Sequence, residues 1–320
     1  MTLPSDSMTL SDRGDAAAPS KVEQALRSQR DSWRELVERL SARSGRAFPS
    51  EPPRRILLFG VGSSHFAAKL TGVSVVKAGM FPRVPVISCT SMAIGTEVIP
   101  QHGDWAFGFS HRGKTPVTLK ALQHCDQAGV FTVLVSGRDA VAEEPPYVRY
   151  VLSTCPLETV EPHTISVSSA ICAVTSVLLG GRLSEDWLQL SELPIPGLDA
   201  LRRRVGHGPT LILGEWVGEW IARECALKLM EMAGLRVRAF GSEEFFHGAH
   251  CSEPVDAKDS TLWHVSMRDD GRNAELRSAL RIDVSSHSPL AWVPALIEAQ
   301  WLALAVALNL GRDPDHPGRA

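Results

Sequence analysis

The stretch Arg55-Ile-Leu-Leu-Phe-Gly60-Val-Gly-Ser-Ser-His65 decides the fold. A short apolar run closed by glycine reads as a strand buried on both faces, the habit of a parallel sheet. Its glycines allow a tight turn, and a helix over residues 66–78 follows. The unit then recurs: Val84-Pro-Val-Ile-Ser88, Trp105-Ala-Phe-Gly-Phe109 and Phe131-Thr-Val-Leu-Val135 read as strands that alternate with helical stretches around 115–128 and 165–180. A polar, proline-punctuated stretch over 184–208 breaks the rhythm and offers a domain boundary or an interdomain helix. Thr210-Leu-Ile-Leu-Gly214 and a long helix over 217–233 start the pattern again. The expected fold class is α/β, with two doubly wound parallel-sheet lobes. The expected division is a disordered tail at 1–20, a first lobe at 21–185 and a second at 186–320.

With 320 residues the chain can build a sizeable core, so burial alone can hold it. Its 33 basic and 36 acidic residues nearly cancel, leaving no strong field to attract nucleic acid or an anionic membrane. Neither is expected as a partner. Cys89, Cys125, Cys155, Cys172, Cys225 and Cys251 form no CxxC pair and no zinc-type spacing with histidine, and read as reduced thiols of a cytoplasmic protein. The first twenty residues lack the basic start and apolar core of a secretory signal. Residues 21–44 carry Leu26, Trp33, Leu36 and Leu40 at helical spacing, the mark of an amphipathic opening helix. The apolar run at 291–310 contains Pro294, Glu298, Gln300 and Asn309, which makes it a buried helix rather than a membrane span.

Ligands of open parallel sheets bind outside the carboxyl ends of the strands, against helix N-termini. Two loops fit that position. Gly60-Val-Gly-Ser-Ser-His65 offers close backbone approach and the hydroxyls of Ser63 and Ser64. Ser110-His-Arg-Gly-Lys-Thr115 also lies between a strand and a helix, and its Arg112 and Lys114 add positive charge suited to an anion. Serine and threonine before a helix are more often simple caps, and the two basic residues could merely face solvent. The first loop lacks the third glycine and the acidic partner of a dinucleotide fingerprint, and the second lacks the upstream glycine of a nucleotide phosphate loop. No cofactor is expected.

Further along, Glu224, Lys228 and Glu231 follow one another at spacings of four and three, which places all three on one helix face. Alone, that pattern is the ordinary surface ion pair. The segment Gly241-Ser-Glu-Glu-Phe-Phe-His-Gly-Ala-His250 then adds Glu244 and His247 at helical spacing, and a histidine beside carboxylates suits proton transfer near neutral pH. Glu with His at this spacing also occurs in metal sites, but further ligands at suitable spacing are not evident, so no metal is expected.

Glu224-Cys-Ala-Leu-Lys-Leu-Met-Glu231, followed sixteen positions later by His247-Gly248, resembles the Glu-x-Ala-Leu-Lys-Leu-x-Glu block and later His-Gly of the sugar isomerase (SIS) domain family. Within that family the likeness is to the isomerase half of glucosamine-6-phosphate synthase. Gly62-Ser-Ser64 resembles the family's Gly-Thr-Ser turn, Ser110 to Thr115 its Ser-x-Ser-Gly-x-Thr phosphate loop, and Asp313-Pro-Asp-His-Pro317 its segment before the tail, so the resemblance spans residues 50–317. It implies paired flavodoxin-like lobes, a phosphorylated sugar or amino sugar as ligand, and a homodimer with shared active sites in which the histidine reaches a neighbouring subunit's site. By the same matching Glu231 shuttles a proton between adjacent sugar carbons, His247 assists ring opening, and Glu224 and Lys228 support them. Gly62, Ser63, Ser64, Ser110, His111, Arg112, Gly113 and Thr115 would hold the substrate. Glu158-Thr-Val-Glu-Pro-His-Thr-Ile-Ser166 falls where the family places another ligand-contacting loop, which adds Glu161 and Thr164.

Two departures shape the expectation. Arg112 stands in place of the family's second phosphate-loop serine, and the sequence stops at Pro317-Gly-Arg-Ala320 without the synthase's lysine-bearing tail or an amidotransferase domain in front. The implied function is a C1–C2 proton transfer on a phosphosugar, by aldose–ketose isomerisation or by deamination or deglycation of an amino-sugar or sugar-amine phosphate. The alternative is a non-catalytic sensor that binds the same class of ligand.

Overall fold

The computed structural model describes residues 18–42, 48–79, 81–179, 182–251, 262–267, 280–285 and 288–316; most of the expected N-terminal tail lies outside them. An opening helix, α1 (Lys21–Ala42), precedes a five-stranded parallel sheet made of β1 (Ile56–Gly60), β2 (Val86–Thr90), β3 (Trp105–Phe109), β4 (Phe131–Arg138) and β5 (Tyr150–Pro156), in the order β2-β1-β3-β4-β5. The helices α2 (Ser63–Lys77), α3 (Pro116–Gln127) and α4 (Ile165–Leu178) cross between the strands. Two short helices, α5 (Ser184–Ser191) and α6 (Leu198–Val205), occupy the proline-punctuated stretch. A second parallel sheet follows, built from β6 (Leu211–Gly214), β7 (Arg238–Gly241), β8 (Leu262–Met267) and β9 (Leu280–Val284) in the order β7-β6-β8-β9, with α7 (Val217–Ala233), α8 (Ser242–Phe246) and α9 (Val293–Asn309). The second order repeats the first without its last strand, and both are the flavodoxin-like variant of the doubly wound sheet.

Alternation along the strands sorts side chains to the two faces. Ile56 and Leu58 point to the side of α2, α4 and α1, whereas Leu57 and Phe59 pack with Ala121, Leu122 and Cys125 of α3. The first cluster does not stop at the lobe boundary. It runs on through Ile221, Cys225 and Leu229 of α7, the apolar length of α9, and Trp263, Val265 and Ile282 of the second sheet. Helix α4 and helix α9 are buried almost all round, as uniformly apolar helices must be.

Within this core a buried polar chain pins helices together. Gln29 Nε2 donates to Ser168 Oγ (2.8 Å) and Gln300 Oε1 (3.1 Å), Trp33 Nε1 donates to Ser168 Oγ (3.0 Å), and Gln300 Nε2 donates to the Thr164 carbonyl (3.2 Å). Helices α1 and α9 are thereby tied to the start of α4. No helix among the described residues is long and apolar enough to cross a membrane.

The expected strand at residues 84–88 lies two residues later. Pro85 has no N–H to give the ladder, and its carbonyl instead accepts the Ile56 N–H (2.9 Å), so pairing begins at Val86. The strand β5 is not expected from the sequence, because Ser153 and Thr154 interrupt its apolar run. Helix α2 begins at Ser63, three residues ahead of the expected start.

The two lobes share a device at the end of their first strands. A Cβ on Gly60 would stand 2.6 Å from the main chain of Ser64, and one on Gly214 would stand 2.3 Å from the carbonyl oxygen of Gly218. In each case the helix four residues on passes too close for any side chain. Two residues after each glycine the backbone takes the same positive φ, at Gly62 (φ 57, ψ −131) and at Trp216 (φ 52, ψ −116). Glycine adopts that conformation freely; tryptophan adopts it under strain, while 83% exposed to solvent. Denaturant titration should therefore find Gly60→Ala and Gly214→Ala destabilised by about 2–3 kcal/mol, and Trp216→Gly stabilised by about 1 kcal/mol through relief of strain.

Candidate active site

In the first sheet the chain leaves β1 toward β2 and returns on the other side at β3, so the crevice at the reversal lies beyond Gly60 and Phe109. The two loops singled out in the sequence border it. Ser110 is almost fully buried; its hydroxyl donates to Thr115 Oγ1 (2.9 Å) and accepts the Thr115 N–H (3.2 Å). Gly113, at φ 63, lets the loop close, with its N–H on the Ser110 carbonyl (2.8 Å). Ser110 and Thr115 thus shape the loop by bonding each other. Arg112 pairs with Glu161 (3.1 Å) across the mouth, both side chains about half exposed, so its charge is already answered by a second predicted residue.

Thr164 is buried at the start of α4, where Glu158 dominates. One Glu158 carboxylate oxygen accepts from the Thr164 N–H (2.7 Å), the Thr164 hydroxyl (3.1 Å) and the Ile165 N–H (3.2 Å), and the other accepts from the Ser166 N–H (2.9 Å). The positive end of α4 is filled by the protein's own anion. Through its main-chain N–H, Glu158 also donates to His111 Nε2 (2.9 Å).

Below the loops lies a cavity of about 40 Å³. Ser63, Ser64 and Ala67 of α2 form one wall, Ser166, Val167 and Ala170 of α4 another, and Ser110, Ser136 and Thr154 close it at the strand ends. His111 and His163 also line it, ring centroids 4.9 Å apart and edge to face. Burial pushes His111 down to about 4 and lowers His163 as well, so both rings are neutral at pH 7.

The second constellation reaches this region from the other lobe. A Cβ on Gly62 would sit 3.8 Å from Leu227 of α7, so α7 packs directly over the first lobe's turn. Glu224 (0% exposed) and Lys228 (1%) are buried there, and Glu231 is partly exposed. Lys228 Nζ donates to Glu231 Oε2 (2.6 Å) and lies 3.6 Å from Glu224 Oε1. Burial would lower the Lys228 pKa, but the two carboxylates outweigh it and the net shift is upward, so the ammonium stays charged. Glu224 is pushed up to about 7, chiefly by burial and further by Glu231, against the opposing pull of Lys228 and the Ser63 hydroxyl. Lys228 lies close enough to His163 to help lower its pKa, which places the helix face beside the cavity.

The structure therefore brings together Ser63, Ser64, Ser110, His111, Glu224, Lys228 and Glu231, with Gly62 and Gly113 as turn residues and Thr164 at the rim. It does not bring His247 to them. That residue is exposed at the end of α8, its main-chain N–H on the Glu243 carbonyl (3.1 Å) and its ring in no hydrogen bond or ion pair among the described residues, and Glu244 pairs instead with Arg223 (3.0 Å). Glu158, Ser136 and His163 escaped the sequence reading. His163 follows Pro162 in a segment read only for Glu161 and Thr164, and Ser136 is the residue directly after an apolar run read as a strand.

No protein family matches the chain by sequence, and no curated protein does. Solved structures do match in fold. Glucosamine-6-phosphate deaminase from Thermotoga maritima aligns with a TM-score of 0.70 and 16% identity over 93% of this chain and 98% of its own. The C-terminal domain of glucosamine-fructose-6-phosphate aminotransferase from Francisella tularensis gives 0.71 and 14%, covering 94% and 99%. Tagatose-6-phosphate ketose/aldose isomerase from Escherichia coli gives 0.69 and 18%, covering 95% and 99%. The chain has the two-sheet α/β fold of these sugar isomerase structures over nearly its whole length.

The Glu224 carboxyl makes a signed prediction. Its folded-state pKa is raised, so its contribution to stability is present below the unfolded value of 4.5 and is lost as pH rises to about 7. Urea titrations of the wild type and Glu224→Gln should diverge over that window, the wild type losing about 3 kcal/mol relative to the variant and no more above it.

Proposed function

We propose that this protein is a phosphosugar-processing enzyme that moves a proton between C1 and C2 of an open-chain sugar phosphate. The observation that carries the reading is the α7 face: a buried ammonium holding one partly exposed carboxylate, set beside a hydroxyl-lined cavity at the first sheet's switch point. A general base needs a fixed carboxylate with an open lobe toward the substrate, and Lys228 supplies the fixing. In the aldose-to-ketose direction Glu231 takes the C2 proton, leaving an enediolate, and returns that proton to C1, while the hydroxyl proton passes from O2 to O1. With nitrogen in place of one of the two oxygens the same proton transfer yields an imine, and water then adds to its C=N carbon and the amine leaves, which completes deamination or deglycation. The proteins of like fold named above act, by their names, on sugar phosphates of both kinds, which supports the class of substrate.

In this reading the phosphoryl end of the substrate lies at the Ser63–Ser64 and Ser110–Thr115 loops, with Gly62 and Gly113 shaping the turns and Arg112, Glu161 and Thr164 at the mouth. His247, exposed at the end of α8, assists ring opening in the site of a second copy, which makes the working unit a homodimer. Six unpaired cysteines fit a reducing, cytoplasmic setting.

A second reading, a non-catalytic sugar-phosphate sensor, draws support from the Arg112–Glu161 pair at the mouth and from the exposure of His247. Turnover separates the two. Proton exchange at C2 followed by NMR in heavy water, with fructose 6-phosphate, amino-sugar phosphates and sugar-amine adducts as substrates, should show exchange in the wild type and a loss of about 100-fold or more in Glu231→Gln. Exchange indifferent to that substitution overturns the role of Glu231, and tight binding with no exchange for any substrate establishes the sensor.

A further inference from the structure

Two polar atoms of residues lining the first-lobe cavity have no partner among the described residues, His111 Nδ1 and Ser136 Oγ, and His163 Nε2 makes no hydrogen bond, with the Glu161 carboxylate 3.5 Å away. Ser136 is 1% exposed, and all three residues line the same hollow. A buried polar atom without a hydrogen bond is costly, so such atoms on residues that line one small space mark a place built for polar atoms from outside the protein. The volume, about 40 Å³, holds about three water-sized groups, which matches the terminal oxygens of a phosphoryl group.

The tautomer of His111 follows from its neighbour. The Glu158 N–H donates to Nε2, so in the neutral ring that nitrogen carries no proton and Nδ1–H is the donor left over. The lining itself contains no lysine or arginine. Nearby cations are engaged elsewhere: Arg112 with Glu161, and Lys228 with Glu224 and Glu231. The dipole of α4, another source of positive potential, is answered by the Glu158 carboxylate. A dianion in this cavity would meet only neutral donors.

We infer that His163 makes good the deficit, so that a phosphoryl group entering the cavity is bound together with a proton taken up by this ring, with the neutral Nδ1–H of His111 donating beside it. The inference rests on the phosphosugar reading above. The charged groups facing the rings are mixed: Glu158 and Glu161 favour the imidazolium, Arg112 opposes it at both rings, and Lys228 opposes it at His163. The walls from α2 and α4 contribute only hydroxyl and apolar groups. In the free protein burial wins and both rings are neutral. A phosphoryl dianion at hydrogen-bond distance reverses the balance, because an opposite charge at that range stabilises the protonated form.

Calorimetric titration of the protein with fructose 6-phosphate at pH 8, repeated in buffers of different ionisation enthalpy, counts the protons. At this pH a phosphate monoester, with its second pKa of about 6, is already dianionic, so uptake cannot come from the ligand. The expected result is uptake of about 0.5–1 proton per site, with unphosphorylated fructose giving none. His163→Gln should reduce the uptake to less than half, about tenfold weaker binding accompanying it, whereas His111→Gln should weaken binding and leave the proton count per bound ligand unchanged. Binding by the wild type with no proton uptake overturns the inference and leaves the phosphosugar reading standing. Uptake unchanged in His163→Gln overturns it as well. If no phosphosugar binds at all, the functional reading fails and this inference fails with it. The wild-type proton count needs no variant to fold.

Discussion

The buried ammonium of Lys228 governs the arrangement of this molecule. An isolated charge with 1% exposure would not survive at the seam between two lobes, and this one is kept by Glu224 on one side and Glu231 on the other. Removing either partner from such a group leaves an uncompensated buried charge, which costs about 3–5 kcal/mol in proteins generally. Helix α7 therefore has one acceptable rotation about its axis, the one that turns this face toward the Gly62 turn and Ser63. The adjoining apolar face, with Ile221, Cys225 and Leu229, is then committed to α9 and the second sheet. Electrostatics at the seam and packing in the core select the same orientation.

Glu158 plays the corresponding part in the first lobe. With four hydrogen bonds to the opening of α4 it uses up one of the three helix N-termini that converge on the sheet's carboxyl edge, and with its amide it sets the ring of His111. Its carboxylate is held by main-chain groups, and those groups are held by the buried chain from Trp33 and Gln29 through Ser168, and from Gln300 to the Thr164 carbonyl. The cavity wall is thus fastened to the opening helix and to the last helix, far away in sequence. What is left for a ligand is a set of neutral donors and the termini of α2 and α3.

The two lobes use one scaffold for different ends. Both begin with a strand closed by a glycine that the next helix nearly touches, and both bend through the same positive-φ residue two positions on. In the first lobe that residue is glycine and the turn opens onto the polar cavity. In the second it is the exposed, strained Trp216, and the helix that follows carries the charged face instead. The repetition lies in backbone geometry, with chemistry divided between the copies.

Much of this was legible in the sequence because it depends on local pattern. Short apolar runs closed by glycine identify buried parallel strands, helical spacing places Glu224, Lys228 and Glu231 on one face, and hydroxyls after a strand mark the edge where ligands bind. These features depend on residues within a turn or two of one another. The order of the strands, the burial of Lys228, the pairing of Arg112 with Glu161 and the meeting of His111 with His163 belong to tertiary structure alone. Arg112 and Glu161 are forty-nine positions apart and His111 and His163 fifty-two, and in the sequence each looks like an ordinary loop residue. Burial, and with it the neutral state of the histidines and the raised Glu224 carboxyl, depends on what lies on every side of a group. Only the folded chain, with both lobes closed over one core, determines that.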